Sequence, residues 1–238
     1  MNSSVEYYRN GLYPLQDGVL NIFKKSNTPF FLTGGTALGR HYFNHRFSDD
    51  LDMFVNDDPH YPEQVDFVLN LFFAQLPSTG PVIIKESIRR FKDSALFFAV
   101  SPQWPDIQLK IDLVNDVAGR YGPLEWDPVL GKVDSWRNIL SNKLSALFRF
   151  EPKDVADLWI IAKRKRFNWR EIMREAKTKE SGVEPDIVCN ILRSFPVRQL
   201  ELVKWIMPRP DLEEFAKDLA VIAKDILLGR SNTLYNPS

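Results

Sequence analysis

The sequence predicts an α+β fold in which a mixed β-sheet with flanking helices is followed by a C-terminal helical bundle. In the first 131 residues, helical and strand-like hydrophobic periods alternate and then give way to consecutive strand-like segments. Such an order favours a mixed sheet with helices packed against it. After Gly131 the apolar pattern is helical to the end. We therefore predict an α/β domain at residues 1–131 and a helical domain at residues 132–238.

The elements of the first domain follow from these periods. Apolar residues at helical spacing predict three helices, over residues 14–25, 36–43 and 61–76. Short apolar or alternating runs predict five strands, over residues 30–33, 51–55, 82–86, 94–100 and 107–114. In the last strand, alternation places Lys110 and Asp112 on one face and Leu109, Ile111 and Leu113 on the other.

The second domain is predicted as a series of helices over residues 139–148, 154–165, 169–177, 185–192 and 212–227. Ser135 is suited to cap the first of them, because its hydroxyl can accept a backbone N–H. Pro152 suits the first turn of the second helix. The single cysteine, Cys189, falls in the apolar pattern of a helix, which indicates a buried, inert thiol and excludes an intramolecular disulfide.

Charge and composition limit which partners and which cellular compartment the sequence predicts. Lys+Arg and Asp+Glu number 31 each, so the overall charge does not indicate a nucleic-acid partner. Acidic residues nevertheless concentrate in residues 49–66 and basic residues in 163–179, which permits an acidic metal site beside a basic groove. The N-terminus lacks a signal-peptide pattern, and no stretch approaches the roughly 18 apolar residues of a membrane span. We expect a cytoplasmic protein with no membrane partner.

The most informative stretch joins a glycine pair to a pair of carboxylates. Gly34 and Gly35 follow an apolar run, where glycines let the backbone approach a phosphate and the next helix turns its N–H groups toward that anion. In an extended segment Asp50 and Asp52 project to the same side. Two like charges so close favour a cation between them, and oxygen ligands of this kind suit Mg²⁺ with substrate phosphates.

The combination of Gly34-Gly35-Thr36 with Arg46-x-Ser48-x-Asp50-x-Asp52 resembles the nucleotidyltransferase superfamily. Within it, Gly-Gly-Thr-Ala-Leu followed by His-Arg-x-Ser-x-Asp-Leu-Asp is similar to the AbiEii/AbiGii toxin family. The resemblance implies a nucleotidyltransferase-like catalytic domain in which Gly34, Gly35 and Thr36 cradle the triphosphate of an NTP. It also implies that Asp50 and Asp52 hold one or two Mg²⁺ ions. Arg46 and Ser48 would contact phosphate or hold the loop.

Asp112 is the candidate third acid. Taken alone, Lys110-x-Asp112 in a strand is more typical of a solvated sheet edge. The resemblance implies instead that the third acid lies on a strand beside the Asp-x-Asp pair. There Asp112 would act as general base toward the acceptor hydroxyl and as a further metal ligand. Lys110 is then a candidate neighbour of a phosphate.

A downstream stretch carries a second resemblance. Lys143-Leu144-x-Ala146-Leu147 followed by Asp154-x-x-Asp157 is similar to the family's later motif, with Lys153 where arginine is usual. That substitution keeps the charge and loses bidentate geometry. Lys143 would neutralise nucleotide phosphates in the transition state. Asp154 or Asp157 would orient it or an arginine, although an ion-pair network between helices is an equal alternative for Asp157.

The basic run at residues 163–170 contains Phe167 and Trp169. It would suit a nucleic-acid backbone with stacked bases, or equally a solvated helix end.

The family resemblance implies transfer of an NMP from an NTP to an acceptor, with the 3′ end of tRNA as the leading candidate, by the toxin of a toxin–antitoxin or phage-defence system. A cognate antitoxin is then a possible partner. A small-molecule nucleotidyltransferase of the antibiotic-modifying type and a non-catalytic nucleotide-binding module of the same fold are the alternatives.

Overall fold

A computed structural model describes residues 3–74 and 80–235 of the chain. The chain divides into two units, each built from several segments. The first unit comprises Met1–Ala37, Ser48–Val117 and Pro123–Asp134, and the second comprises Leu38–Phe47, Ala118–Gly122 and Ser135–Ser238. The predicted domain division between residues 131 and 132 stays a prediction. Within the described ranges, no helix is long and apolar enough to cross a membrane.

The first unit is built on a mixed sheet of seven strands, in the order β3-β4-β5-β2-β1-β7-β6. The strands are β1 Phe31–Thr33, β2 Leu51–Asn56, β3 Val82–Arg90, β4 Ser94–Ser101, β5 Trp104–Asp116, β6 Glu125–Asp127 and β7 Gly131–Val133. The pairs β2/β5 and β1/β7 are parallel, and the other neighbouring pairs are antiparallel. The predicted mixed sheet is confirmed. Strands β6 and β7 were not predicted, because each is three residues long and neither contains an apolar run such as that of β1.

Helices cover one face of this sheet. They are α1 Ser3–Glu6, a π-helical segment Tyr7–Leu12, α2 Tyr13–Ser26, α3 Gly34–Ala37 and α4 Tyr61–Phe73. The predicted continuation of α4 to Leu76 lies outside the described residues. Phe72 of α4 packs edge-on against Phe23 of α2 and Phe97 of β4, with ring centroids 6.3 and 5.5 Å apart.

Burial alternates along the central strands. The buried residues of β2 and β5 are Leu51, Met53, Val55, Leu109, Ile111 and Leu113. The residues between them point to the opposite face, where only part of their surface is covered. The alternation predicted for β5 is therefore confirmed, and the polar side chains of β2 and β5 share the face away from the apolar core.

The second unit is helical. It contains a π-helical segment Leu38–Phe43, α5 Trp136–Ala146, a 3₁₀ turn Leu147–Arg149, α6 Pro152–Arg164, α7 Trp169–Lys179, α8 Pro185–Ser194, a 3₁₀ segment Val197–Leu202 and α9 Leu212–Leu228. The Ser135 side chain caps α5 by accepting the N–H of Asn138, as predicted. Trp169 and Phe215 are completely buried in its core.

Cys189 of α8 is buried in this unit, and its thiol donates to the carbonyl of Ala223 at 2.8 Å. Burial raises the pKa of the Cys189 thiol above its ordinary value. A thiol that stays protonated is a poor nucleophile. The prediction of an inert structural cysteine agrees with this environment.

Candidate active site

The carboxylates of β2 and β5 are brought side by side by the register of two parallel strands. Asp52 pairs with Asp112 in the β2/β5 ladder, as Leu51 does with Ile111. Register partners on neighbouring strands project to the same face. Both aspartates are partly covered, with 21% of the Asp112 side chain exposed. Two acids that are 60 positions apart in the sequence thus become neighbours on one surface.

Gly34 follows strand β1 directly and lies beside the Asp52 carboxylate. Thr33 of β1 pairs with Asp52, and Gly34 follows with φ +68° at the start of α3. A Cβ on Gly34 would lie 2.2 Å from Oδ2 of Asp52. A side chain at this position would displace the Asp52 carboxylate, and the left-handed conformation also favours glycine. Helix α3 begins at Gly34, whereas the sequence predicted a start at Thr36. Glycine can make the turn out of the strand, so no loop separates β1 from α3.

The loop from Ser48 to Asp50 is held from three directions. The Thr36 hydroxyl donates to the carbonyl of Asp50 at 2.5 Å, and Nε2 of Gln16 donates to the carbonyl of Ser48 at 3.1 Å. The buried Tyr8 hydroxyl donates to Oδ1 of Asp49.

Burial, followed by this hydrogen bond and the Asp49 charge, raises the pKa of Tyr8 above its ordinary value, so the phenol remains a donor. Tyr8 and Gln16 were not predicted as site residues. Each supports the loop from a helix far earlier in the sequence, and no local motif reveals such a contact.

Lys110 supplies positive charge to this face. Its Nζ donates to Oδ2 of Asp112 at 2.7 Å. Burial works to lower the pKa of Lys110, but the Asp112 hydrogen bond and the charges of Asp112, Asp50 and Asp52 raise it above its ordinary value. The lysine therefore stays protonated, and the charges of all three acids act on it.

The donor set fits a hard divalent cation. Among residues 3–74 and 80–235, no group of three or more His, Cys, Asp or Glu side chains is arranged to hold a metal ion. Mg²⁺ is, however, commonly bound by one or two carboxylates together with substrate phosphates. Asp50 and Asp52 would supply such carboxylates, and the backbone of Gly34 lies so close to the Asp52 carboxylate that a side chain there would displace it.

The remaining predicted site residues form a buried ionic cluster in the second unit, centred on Asp157. Arg46 binds Asp157 with two parallel hydrogen bonds, from Nε to Oδ1 at 2.6 Å and from Nη2 to Oδ2 at 2.7 Å. Lys143 Nζ lies 2.6 Å from Oδ2, and His45 Nε2 lies 2.8 Å from Oδ1. Burial works to raise the pKa of Asp157, but Arg46, Lys143 and His45 hold it well below the ordinary value.

Asp154 extends this cluster. Its Oδ1 accepts from Lys143 at 2.6 Å and its Oδ2 from Arg149 at 2.9 Å. Burial works to lower the pKa of Lys143, whereas the charges of Asp157 and Asp154 raise it above the ordinary value. With one Lys and two Arg against two Asp, the cluster carries one surplus positive charge. The ion-pair network that the sequence left open for Asp157 is therefore present.

His45 joins the cluster as a neutral member. It is completely buried, and burial lowers its pKa below the ordinary value, although the Asp157 carboxylate opposes that shift. Because a carboxylate only accepts, Nε2 carries the proton in the bond to Asp157. Within the described ranges, Nδ1 has no hydrogen-bond partner. The contact of His45 with an aspartate 112 positions away could not be predicted from the local sequence pattern.

The predicted site residues thus fall into two groups. The first unit holds Gly34, Gly35, Thr36, Ser48, Asp50, Asp52, Lys110 and Asp112. The second holds Arg46, Lys143, Asp154 and Asp157. Arg46 was predicted to contact phosphate or to hold the loop, and the structure shows its guanidinium bound to Asp157. The roles of all these residues toward a substrate stay predictions.

The basic run at residues 163–170 does not offer stacking surfaces. Phe167 is buried and Trp169 is completely so, with their rings packed against each other at 4.8 Å between centroids. Lys163 is bound to Asp218 at 3.0 Å. The hypothesis that the two aromatics stack on bases is wrong, because both are needed in the core of the second unit.

The fold is shared with solved nucleotidyltransferase structures. A candidate nucleotidyltransferase from Helicobacter pylori superposes with a TM-score of 0.59 at 20% identity, covering 91% of this chain and 93% of that chain. JHP933 from Helicobacter pylori gives 0.58 at 21%, covering 91% and 90%. MenT4, a nucleotidyltransferase toxin from Mycobacterium tuberculosis H37Rv, gives 0.58 at 16%, covering 90% and 83%. No curated protein matches the chain.

The seven-stranded mixed sheet with flanking helices is the fold of these nucleotidyltransferases. Residues 21–232 match the family described as nucleotidyl transferase AbiEii toxin, type IV toxin–antitoxin system. The chain belongs to this family. The predicted fold class, family and enzyme class are confirmed.

Proposed function

We propose that this nucleotidyltransferase toxin moves an NMP from a Mg²⁺-bound NTP to an acceptor hydroxyl on RNA, with the 3′ end of tRNA as the first candidate. The observation that carries the proposal is the pairing of Asp52 with Asp112 on adjacent parallel strands, beside the side-chain-free position at Gly34. Two carboxylates on adjacent strands beside the glycine turn support a site that can receive a metal-bound triphosphate.

The proposed chemistry is an in-line displacement. Asp112 accepts the proton of the acceptor hydroxyl, whose oxygen then forms a bond to the α-phosphorus of the NTP. The bond from that phosphorus to the bridging oxygen breaks, and pyrophosphate leaves. Lys110, held at 2.7 Å from Asp112, adds positive charge near the phosphates. When bound, Mg²⁺ would neutralise the charge that develops on the attacking and leaving oxygens.

The other residues position these groups. Gly34, Gly35 and Thr36 offer the backbone toward the triphosphate, and the Thr36 hydroxyl fixes the carbonyl of Asp50. Asp50 and Asp52 would hold the cation. Lys143, positioned between Asp154 and Asp157, would contribute charge stabilisation as the family resemblance implies.

The acceptor is inferred from the family. Type IV toxin–antitoxin membership implies an NTP substrate and a cognate antitoxin. The MenT4 structure, which shares the fold, is described as a nucleotidyltransferase toxin. Exposed basic residues of the second unit, among them Arg164 and Arg166, supply charge that an RNA backbone would need.

The test incubates purified protein with each α-labelled NTP, Mg²⁺ and total cellular RNA. Asp112→Asn is compared with Asp106→Asn, an exposed carboxylate on the same face of β5. We expect wild type and Asp106→Asn to label an RNA band, and Asp112→Asn to lose at least about 10²-fold in rate.

Each other result identifies a different failure. Labelling of a small molecule without RNA would favour an antibiotic-type enzyme. NTP binding without any transfer would favour a binding module. Equal rates for Asp112→Asn and Asp106→Asn would remove the general base from the proposal, and absence of NTP binding would overturn it.

A further inference from the structure

A pocket of about 380 Å³ opens in the second unit, between α7 and the C-terminal end of α9. Its volume is within the range of sites that accept a ligand or a side chain. The lining is mainly aliphatic and includes Met173, Val183, Pro185 and Ile226. No residue in it belongs to the predicted catalytic set. The pocket is therefore a separate feature that nucleotidyl transfer does not explain.

Basic side chains stand along one edge of this pocket. Arg170, Arg174 and Lys177 are spaced i, i+4 and i+7 on α7, so they share one helix face. Lys177 donates to Glu184, which also lines the pocket. In the part of the chain that the structure describes, the guanidinium groups of Arg170 and Arg174 form no ion pair. The edge therefore carries two positive charges without a carboxylate partner.

Two large apolar side chains complete the surface. Leu227 and Leu228, the last residues of α9, are 52% and 53% exposed and line the same pocket. Gly229 follows with φ +56° and ends the helix there. Exposed leucines beside a pocket, rimmed by charge, are typical of a protein-interaction site.

We propose that this pocket docks an acidic amphipathic helix of a partner protein. The partner would insert an apolar side chain among the aliphatic residues and place carboxylates against Arg170 and Arg174. An RNA occupant is less well matched, because none of the pocket-lining residues that the structure describes is aromatic and bases would have no stacking surface. The inference is independent of the identity of the nucleotide acceptor.

The test measures fluorescence anisotropy of a fluorescein-labelled peptide with Leu at helical i, i+3, i+4 and i+7 spacing and Glu elsewhere. A peptide of equal composition with scattered Leu positions and a labelled poly(U) RNA serve as competing probes. We expect the amphipathic peptide to bind the full-length protein and to weaken as salt increases. Binding should fall at least about tenfold in Arg170→Glu/Arg174→Glu and in Leu228→Ser.

Arg193→Glu/Arg198→Glu is the matched control, because both arginines are exposed on the same unit away from the pocket. Circular dichroism would show that each variant is folded. The control should bind the peptide as wild type does. The proposal would be overturned if the scattered peptide bound as tightly as the amphipathic one, or if the control variant lost as much peptide binding as Arg170→Glu/Arg174→Glu. It would also be overturned if the protein preferred poly(U) and Leu228→Ser left that preference unchanged.

Discussion

Replacing Gly34 with alanine tests whether the backbone at this turn sets the position of Asp52. A Cβ there would be 2.2 Å from Oδ2 of Asp52, and ordinary contact begins at 3.4 Å, so the carboxylate must retreat by about 1.2 Å. The obstructing atom is the end of a side chain, so the fold can accommodate the change. The position of the carboxylate cannot stay the same.

The substitution should have a small effect on the unfolding free energy and a large effect on the transfer rate. Alanine at φ +68° costs about 1–2 kcal/mol of unfolding free energy, because the left-handed conformation crowds its Cβ. Displacing a catalytic group by about 1 Å can lower a rate by about 10²-fold. We therefore expect Gly34→Ala to remain folded, to lose about 10²-fold or more in NMP transfer, and to bind Mg²⁺–NTP more weakly.

Gly131→Ala is the matched control. Gly131 also has positive φ, at +82°, and belongs to the same unit, but a Cβ there would meet Lys24 at an ordinary 3.7 Å. Urea unfolding should give both variants a similar loss of stability, and transfer assays should separate them. If Gly34→Ala transfers NMP as fast as Gly131→Ala, the Gly34 backbone does not control Asp52 and the reasoning is refuted.

Three further predictions concern the supporting contacts. Asp157→Asn should lower the unfolding free energy by about 3–5 kcal/mol in urea titrations, because buried cations lose their counter-charge. Since the folded-state pKa of Asp157 is well below the ordinary value, its contribution should be fully present above about pH 4 and lost as pH falls toward that folded-state pKa. The stability difference between wild type and Asp157→Asn should therefore shrink in acid. Tyr8→Phe should lower the unfolding free energy by about 1–2 kcal/mol and slow transfer, because the hydrogen bond from Tyr8 to Asp49 is lost.

The controls for these predictions use the same measurements. Glu201→Gln breaks an exposed ion pair with Arg209 and should change stability by less than about 1 kcal/mol. If Asp157→Asn also lowered the unfolding free energy by less than about 1 kcal/mol, the buried cluster would contribute no more to stability than this surface ion pair. A constant difference between wild type and Asp157→Asn down to about pH 3 would contradict the depressed pKa. Tyr8→Phe with an unchanged transfer rate would mean that the Asp49 loop needs no such anchor.

Local patterns predicted what lies within one element. Alternation along β5 correctly assigned Asp112 and Leu113 to opposite faces, because side-chain direction in a strand depends only on its neighbours. The pairing of Asp52 with Asp112 came instead from the family resemblance. Many registers between two strands are compatible with one alternation, and a shift of two positions would keep the same faces while separating the acids.

Long-range polar contacts were the least predictable part. Arg46 stands two positions before Ser48 in the sequence, which suggested a phosphate contact, yet its partner Asp157 is 111 positions away. The π-helical segment Tyr7–Leu12 has no distinctive sequence period, so the support that Tyr8 gives to the loop could not be foreseen. In both cases, tertiary packing decides which of several chemically reasonable partners a polar group meets.

The segment Leu38–Phe47 leaves the first unit after Ala37 and the chain returns to that unit at Ser48. Arg46 lies in this segment, and its two hydrogen bonds neutralise Asp157. A C-terminal fragment starting at residue 135 would therefore contain Asp157 without its arginine, and an N-terminal fragment ending at 134 would contain the arginine without its aspartate. We expect neither half to be stable when produced alone, and the two to regain solubility when produced together from separate genes, as a split protein does.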